Sequence, residues 1–173
     1  MKSIRRSAAE WAVLIACAAA LYALIHFCVF EVAIIEGDSM YPTLTDQERV
    51  VVFKLPYITG SPRRGDIVAF PYPADTSRSF VKRVVGAPGD LIEADAMGVY
   101  VNGELLRDAF AETPPIMLGD ADYPMTVPPD SYFVLGDNRA VSHDSRYGDV
   151  GMIRKSDILG KVALRMAGLS PIE

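Results

Sequence analysis

Val99-Tyr100-Val101-Asn102-Gly103-Glu104-Leu105-Leu106 holds two short apolar runs joined by Asn-Gly. A two-residue type I′ turn needs positive φ at both central positions, and asparagine and glycine tolerate that best. The stretch reads as a tight β-hairpin, and the chain around it is written in the same way. Residues 49–55, 66–72, 80–85, 91–93, 131–135 and 158–166 are further short β-prone runs. Turn-forming clusters at 57–65, 71–73, 87–90, 114–115 and 128–130 separate them. Many short strands at irregular spacing, with 12 prolines and 13 glycines, predict a mostly β, antiparallel, barrel-like or sandwich-like domain. Residues 107–127 read as an irregular loop excursion and 169–173 as a frayed tail.

One upstream segment breaks this pattern. The twenty residues from Trp11 to Phe30 include no Asp, Glu, Lys or Arg. A helix of that length spans ~30 Å, the thickness of a bilayer hydrocarbon core. Lys2, Arg5 and Arg6 precede it against Glu10 alone, which places the N-terminus in the cytoplasm and the rest outside. The expected organisation is a cytoplasmic start at 1–10, a single transmembrane helix at 11–30, an extracytoplasmic β domain at 31–168 and the tail. A lipid bilayer is then a partner. A cleaved signal peptide is the alternative. It normally has an apolar core of ~7–15 residues followed by a small-x-small site, and residues 28–35 offer none. Cys17 and Cys28 fall inside the span, so no disulfide is expected in the outer domain. His26 reads as an interfacial residue near the span's outer end.

Composition excludes several classes. Among 173 residues, 17 are Lys or Arg and 22 are Asp or Glu, for a net charge of −5. An acidic chain is a poor non-specific binder of nucleic acid, so no nucleic-acid partner is expected. Two cysteines and two histidines argue against a Cys₄ zinc site or a His-rich centre, and no metal or cofactor is expected.

Polar chemistry concentrates in three segments. In Gly37-Asp38-Ser39-Met40-Tyr41-Pro42-Thr43-Leu44 a serine follows the apolar span closely. Eight intervening residues reach at most ~30 Å, so its hydroxyl lies near the outer membrane face. In Phe80-Val81-Lys82-Arg83-Val84-Val85-Gly86-Ala87-Pro88-Gly89-Asp90 a lysine sits inside an apolar strand. Alternation puts Phe80, Lys82 and Val84 on one face and Val81, Arg83 and Val85 on the other, so one cation faces the apolar side. Burial disfavours the charged amine, which is what a lysine needs to act as a base near neutral pH. An edge-strand lysine that blocks aggregation is the alternative. The third segment, Gly136-Asp137-Asn138-Arg139-Ala140-Val141-Ser142-His143-Asp144-Ser145-Arg146-Tyr147-Gly148, is a polar loop after an apolar strand. Two pairings stay open. Ser39 with Lys82 needs no third partner, whereas a Ser-His-Asp triad would use His143, oriented by Asp137 or Asp149.

Together and in order, these segments resemble bacterial type I signal peptidases (leader peptidases), which use a Ser/Lys dyad. Ser39-Met40-x-Pro42-Thr43-Leu44 is similar to the family's nucleophile box. Lys82-Arg83-Val84-Val85-Gly86-x-Pro88-Gly89-Asp90 is similar to its base box. Gly136-Asp137-Asn138-Arg139-x-x-Ser142-x-Asp144-Ser145-Arg146 is similar to its third box, and Arg64-Gly65-Asp66-Ile67-Val68 matches a family strand. The likeness covers roughly residues 10–165. It implies a membrane-bound serine endopeptidase of the bacterial cytoplasmic membrane that removes signal peptides from exported preproteins after Ala-x-Ala-like sites. Ser39 is then the nucleophile and Lys82 the general base. Ser142 orients the lysine, Asp144 and Arg146 form an ion pair beneath the site, and Asp137 supports it. Met40, Leu44, Phe80 and Val81 correspond to residues lining the substrate pockets, beside which the substrate lies as an added strand. Gly37 stands where some members place a serine that completes the oxyanion hole.

Rival readings share parts of this pattern. A peptidase of the conjugative-pilus type uses the same dyad on one dedicated substrate. A self-cleaving repressor of the SOS type is disfavoured by the apolar span and the lack of a DNA-binding helical module. A membrane-tethered β domain that binds peptides without cutting them is the non-enzyme alternative.

Overall fold

The computed structural model describes residues 7–106 and 118–172; the side chains of residues 24–28 and 169 fall outside the description. A helix α1 (Ala8–Cys28) leads into β1 (Phe30–Ile34), β2 (Arg49–Phe53), a single-turn α2 (Pro56–Thr59), β3 (Ile67–Tyr72) and β4 (Asp75–Gly86). Then come β5 (Leu91–Asp95), β6 (Gly98–Val101), β7 (Glu104–Leu105), β8 (Met125–Thr126), β9 (Ser131–Leu135), β10 (Ile153–Arg154), β11 (Gly160–Arg165) and β12 (Ser170–Pro171). Among the described residues, one sheet runs β1-β2-β11-β3-β4-β9-β10, with β12 paired to β11, and a second runs β7-β6-β5-β8. All pairings are antiparallel. Asn102 and Gly103 adopt φ of 55° and 80°, as the hairpin reading requires.

The β character holds, but the barrel-like expectation does not, because the strand path is open from β1 to β10. Among the described residues, the path ends at β1, paired with β2, and at the two-residue β10, paired with β9, and these two ends do not pair with each other. β4 has 12 residues and pairs along most of its length with β3. β9 has five and pairs only with 83–86 of β4, across a register shift. Among the described residues, the first half of β4 thus keeps one edge unpaired, and a cleft opens there.

Among the described residues, β1, β8, β10 and β12 escaped the sequence reading. β1 continues the apolar run of the helix without punctuation, so 11–30 reads as one span. In the structure α1 ends at Cys28 and Phe30 already pairs with Phe53. Among the described residues, no helix is long and apolar enough to cross a membrane. Cys28 and His26 are among the side chains outside the description. The tail is not frayed over its described part: Ser170 and Pro171 pair with Arg165 and Leu164, and Ile172 packs on the core.

β3, β4 and β9 are buried on both faces near the middle of the fold. Val84 packs with Val68, Phe70, Tyr132 and Val134 on one side, and Val85 with Ile92, Val99, Phe133 and Leu135 on the other. Lys82 and Arg83 follow the same alternation, and both are buried. The two sheets meet around Gly86, where an added Cβ would lie 2.8 Å from Ile92 Cδ1 and 3.0 Å from Phe133 Cβ. Phe133 is fully buried at this junction. Phe133→Ala is expected to lower unfolding free energy by about 3–5 kcal/mol, read from denaturant titration of the purified protein. A loss below about 1 kcal/mol contradicts this packing.

Candidate active site

The serine loop is pinned before any chemistry is considered. Gly37 has φ of 85°, a left-handed turn that suits glycine, and its N–H donates to Asp46 Oδ1 at 2.7 Å. Met40 and Leu44 are buried anchors, and Leu44 N–H donates to the Met40 carbonyl at 2.9 Å. Asn138 N–H donates to the Ser39 carbonyl at 3.1 Å, and Arg165 donates to the Thr43 carbonyl. Ser39 is left half-buried at the cleft with its hydroxyl presented to β4.

Lys82 Nζ lies 2.8 Å from Ser39 Oγ. The lysine is 3% exposed. Burial, the largest influence, pulls its pKa from the ordinary 10.5 down to about 8. The charges of Asp144 and Asp137 oppose that pull, and Arg146 adds to it. A neutral amine at this distance can take the hydroxyl proton. The structure brings together no such contact between Ser39 and His143. His143 Nε2 instead lies 2.9 Å from Asp149 Oδ2.

Asp137 lies deeper in the structure than a mere support. Arg83 Nε and Nη2 donate to its two carboxylate oxygens at 2.8 and 2.7 Å, and the Thr43 hydroxyl donates to Oδ2. Arg83 Nη1 also donates to the Gly65 carbonyl at 2.9 Å. This buried group joins the serine loop, the lysine strand and the third segment. Arg83 was visible in sequence only as the cation on the opposite face from Lys82.

Asp144 and Arg146 form the expected ion pair, both fully buried. Arg146 Nε and Nη2 donate to the carboxylate at 2.8 and 2.9 Å. The remaining Arg146 donors reach the carbonyls of Arg139 and Ser142, each at 3.0 Å, and Asp144 Oδ2 accepts from Gly136 N–H at 3.0 Å. The pair folds the third loop onto itself. From behind, Asp120 and Ala121 N–H donate to the Arg146 carbonyl, each at 3.0 Å. An added Cβ at Gly119 would lie 1.9 Å from that oxygen, so glycine is required. Nothing in the sequence marked this strap. Residues 107–117 of the excursion lie outside the described residues.

Two assignments need correction. Ser142 does not hydrogen-bond to Lys82; its Oγ is buried with no partner among the described residues. The hydroxyl is packed against Gly136, where an added Cβ would lie 2.1 Å from it and 2.4 Å from the Ser39 carbonyl oxygen. Leu44 does not line the cleft, because it is fully buried against Ile35, Val50 and Ile67. The cleft, ≈ 730 Å³, is bounded by Ile34 to Met40 on one wall and Ser77 to Lys82 on the other, and also reaches Asn138, Val141 and His143. Met40, Phe80 and Val81 border it.

Residues 8–167 match the family model described as signal peptidase, peptidase S26. The chain is 39% identical to signal peptidase I P of Bacillus subtilis subsp. natto, over 90% of this chain and 87% of that one. It is 39% identical to signal peptidase I of Bacillus amyloliquefaciens, over 92% and 86%. A crystal structure of a signal peptidase I from Enterococcus faecalis V583 is 31% identical, with a TM-score of 0.47, covering 58% of this chain and 96% of that one.

The buried lysine predicts a stability signature. Folding lowers its pKa from 10.5 to about 8, a cost of about 3 kcal/mol while both states are protonated. Between those two values the unfolded chain keeps the proton that the folded one has lost, so stability rises with pH. Lys82→Met is expected to exceed wild type by about 3 kcal/mol at pH 7, with the gap closing toward pH 10.5. Denaturant titrations at several pH values check this, and a pH-independent gap contradicts it.

Proposed function

This chain belongs to the signal peptidase family, and from that premise we propose that it is a membrane-bound serine endopeptidase cutting signal peptides from exported preproteins. The observation that carries the reading is the buried Lys82 amine 2.8 Å from the Ser39 hydroxyl. Ser39 Oγ adds to the scissile carbonyl carbon, and its proton passes to neutral Lys82. As the C–N bond breaks, the Lys82 ammonium returns the proton to the leaving amine, and an acyl-enzyme forms. Lys82 then takes a proton from water, whose oxygen displaces Ser39, and returns it to Ser39 Oγ.

The Ser39 backbone N–H supplies one donor to the developing oxyanion, a kind of contact typically worth ~3–4 kcal/mol. The Gly37 N–H is held by Asp46, so it does not serve as the second. A Cβ at Gly37 would meet nothing within 4 Å, which leaves room there for substrate or water. The substrate lies as an extended strand in the cleft, along the free edge of β4. Met40, Phe80 and Val81 face small residues, which favours cleavage after Ala-x-Ala-like sequences. The charge-free stretch 11–30 supports attachment to the bacterial cytoplasmic membrane as a single-pass anchor, with the β domain outside.

Cleavage of several precursors bearing Ala-x-Ala signal peptides, by detergent-solubilised protein, tests the reading. Wild type is expected to cut, and Ser39→Ala and Lys82→Ala to lose about 10⁴-fold or more. His143→Ala is expected to stay within about tenfold of wild type. Loss of all activity in His143→Ala with Lys82→Ala active restores the triad. Cleavage of one precursor alone points to a dedicated processing peptidase. No cleavage of any precursor leaves the peptide-binding domain.

A further inference from the structure

Behind Phe80, the wall of the cleft carries a cluster of side chains that the proposed reaction does not use. The Phe80 ring lies over the lysine, its centroid 4.9 Å from Nζ. Tyr72 stacks on Phe80 at 4.5 Å with an interplanar angle of 11°. His143 stands edge-on to both, at 6.1 Å from Tyr72 and 6.5 Å from Phe80, and lies 4.3 Å from the Tyr147 ring. Asp149 ties the outer members together. Its Oδ2 accepts from the Tyr72 hydroxyl and sits 2.9 Å from His143 Nε2.

Phe80 needs such support. It sits on the half of β4 whose outer edge is unpaired among the described residues, so no described strand buttresses its ring on the cleft side. Yet this ring lies against the buried amine. A continuous set of contacts runs from a carboxylate on the surface, through Tyr72 and Phe80, to the base. His143 and Tyr147 close it from the side of the third loop.

We propose that Asp149, with His143 and Tyr72, is a positioning cluster that holds Phe80 over the Lys82 amine and keeps that amine dry in the open cleft. The proposal rests on the reading that Lys82 is the base. Asp149 acts through other side chains and touches neither Ser39 nor Lys82. It also gives His143 a role other than that of a triad member. Hydrogen bonds from Tyr72 and His143 already hold the Asp149 carboxyl below its ordinary pKa, as expected for a carboxylate serving as their common acceptor.

The direction of the effect separates positioning from simple charge. Removing a carboxylate weakens the support of a nearby ammonium and lowers a lysine's pKa. Admitting water to a buried amine raises it. The remaining charges around the amine are Asp137, Asp144 and Arg146, and Arg78 lies 5.9 Å from the Phe80 ring. All are left intact by the substitutions below.

The test is an NMR titration of ¹³C-labelled lysine side chains in the full chain, with Lys82 identified by its absence from Lys82→Met. Asp149→Ala and Tyr72→Phe are expected to raise the Lys82 midpoint by about half to one pH unit. Asp149→Asn still accepts from the Tyr72 hydroxyl and is expected to stay close to wild type. His143→Ala, made as an independent variant, is expected to move in the same direction as Asp149→Ala. Asp149 is 43% exposed, so its loss empties no core position. Midpoints that stay put or fall in both Asp149→Ala and Tyr72→Phe overturn the proposal. Precursor cleavage by Lys82→Ala is measured alongside. If that variant still cuts, the base assignment fails, and this role fails with it. If it is inactive while the midpoints do not move, only the cluster's role fails.

Discussion

A primary amine held out of water beside a serine hydroxyl is the constraint around which this fold is arranged. Lysine in water keeps its proton far above neutral pH and cannot serve as a base there. Lowering its pKa requires burial, and burial of a cation destabilises the protein. The chain meets this with a strand buried on both faces, so that Lys82 is enclosed by the fold. It borders the cleft beside Ser39, where β4 outruns β9 and, among the described residues, leaves an edge unpaired. The mismatch in length between β4 and β9 therefore leaves the cleft beside the buried amine.

Two buried ion pairs flank this centre and do different things. Arg83 with Asp137 ties three separate segments together, while Arg146 with Asp144 shapes one loop internally. Buried pairs contribute little net stability compared with apolar packing, but removing one partner is costly because it strands the other charge. Their value here is geometric. Beside them, Asn138 N–H donates to the Ser39 carbonyl and Gly136 packs against Ser39 and Ser142. Position is thus specified by groups that cannot be moved without leaving a buried charge unpaired.

Much of this was legible in the chain itself, and the failures share a physical cause. Asn102-Gly103 announced a hairpin because turn chemistry is local. The 80–85 strand was visible, and its alternation separated Lys82 from Arg83. What alternation could not show is that both faces are covered, since that depends on which strands lie above and below. Sheet closure was misread for the same reason: it is decided by pairing between distant edges. β1 was absorbed into the apolar run before it, having no glycine or proline to mark the join. Ser142 and Leu44 were placed by motif position, but a hydroxyl's partner and a leucine's packing are set by rotamer and neighbours. Asp149 drew notice only as an orienter for His143; its bond to Tyr72 spans 77 positions and leaves no local trace.

The central claim is that Lys82 works as a neutral amine because the fold excludes water from it. The most direct test is the pH dependence of single-turnover cleavage of a signal-peptide precursor by the wild-type chain. The rate is expected to rise with pH, with its midpoint near the lysine's lowered value of about 8. A limb near pH 6.5 would point to a histidine base instead. A limb near the ordinary lysine value would contradict the claim that the amine is dry.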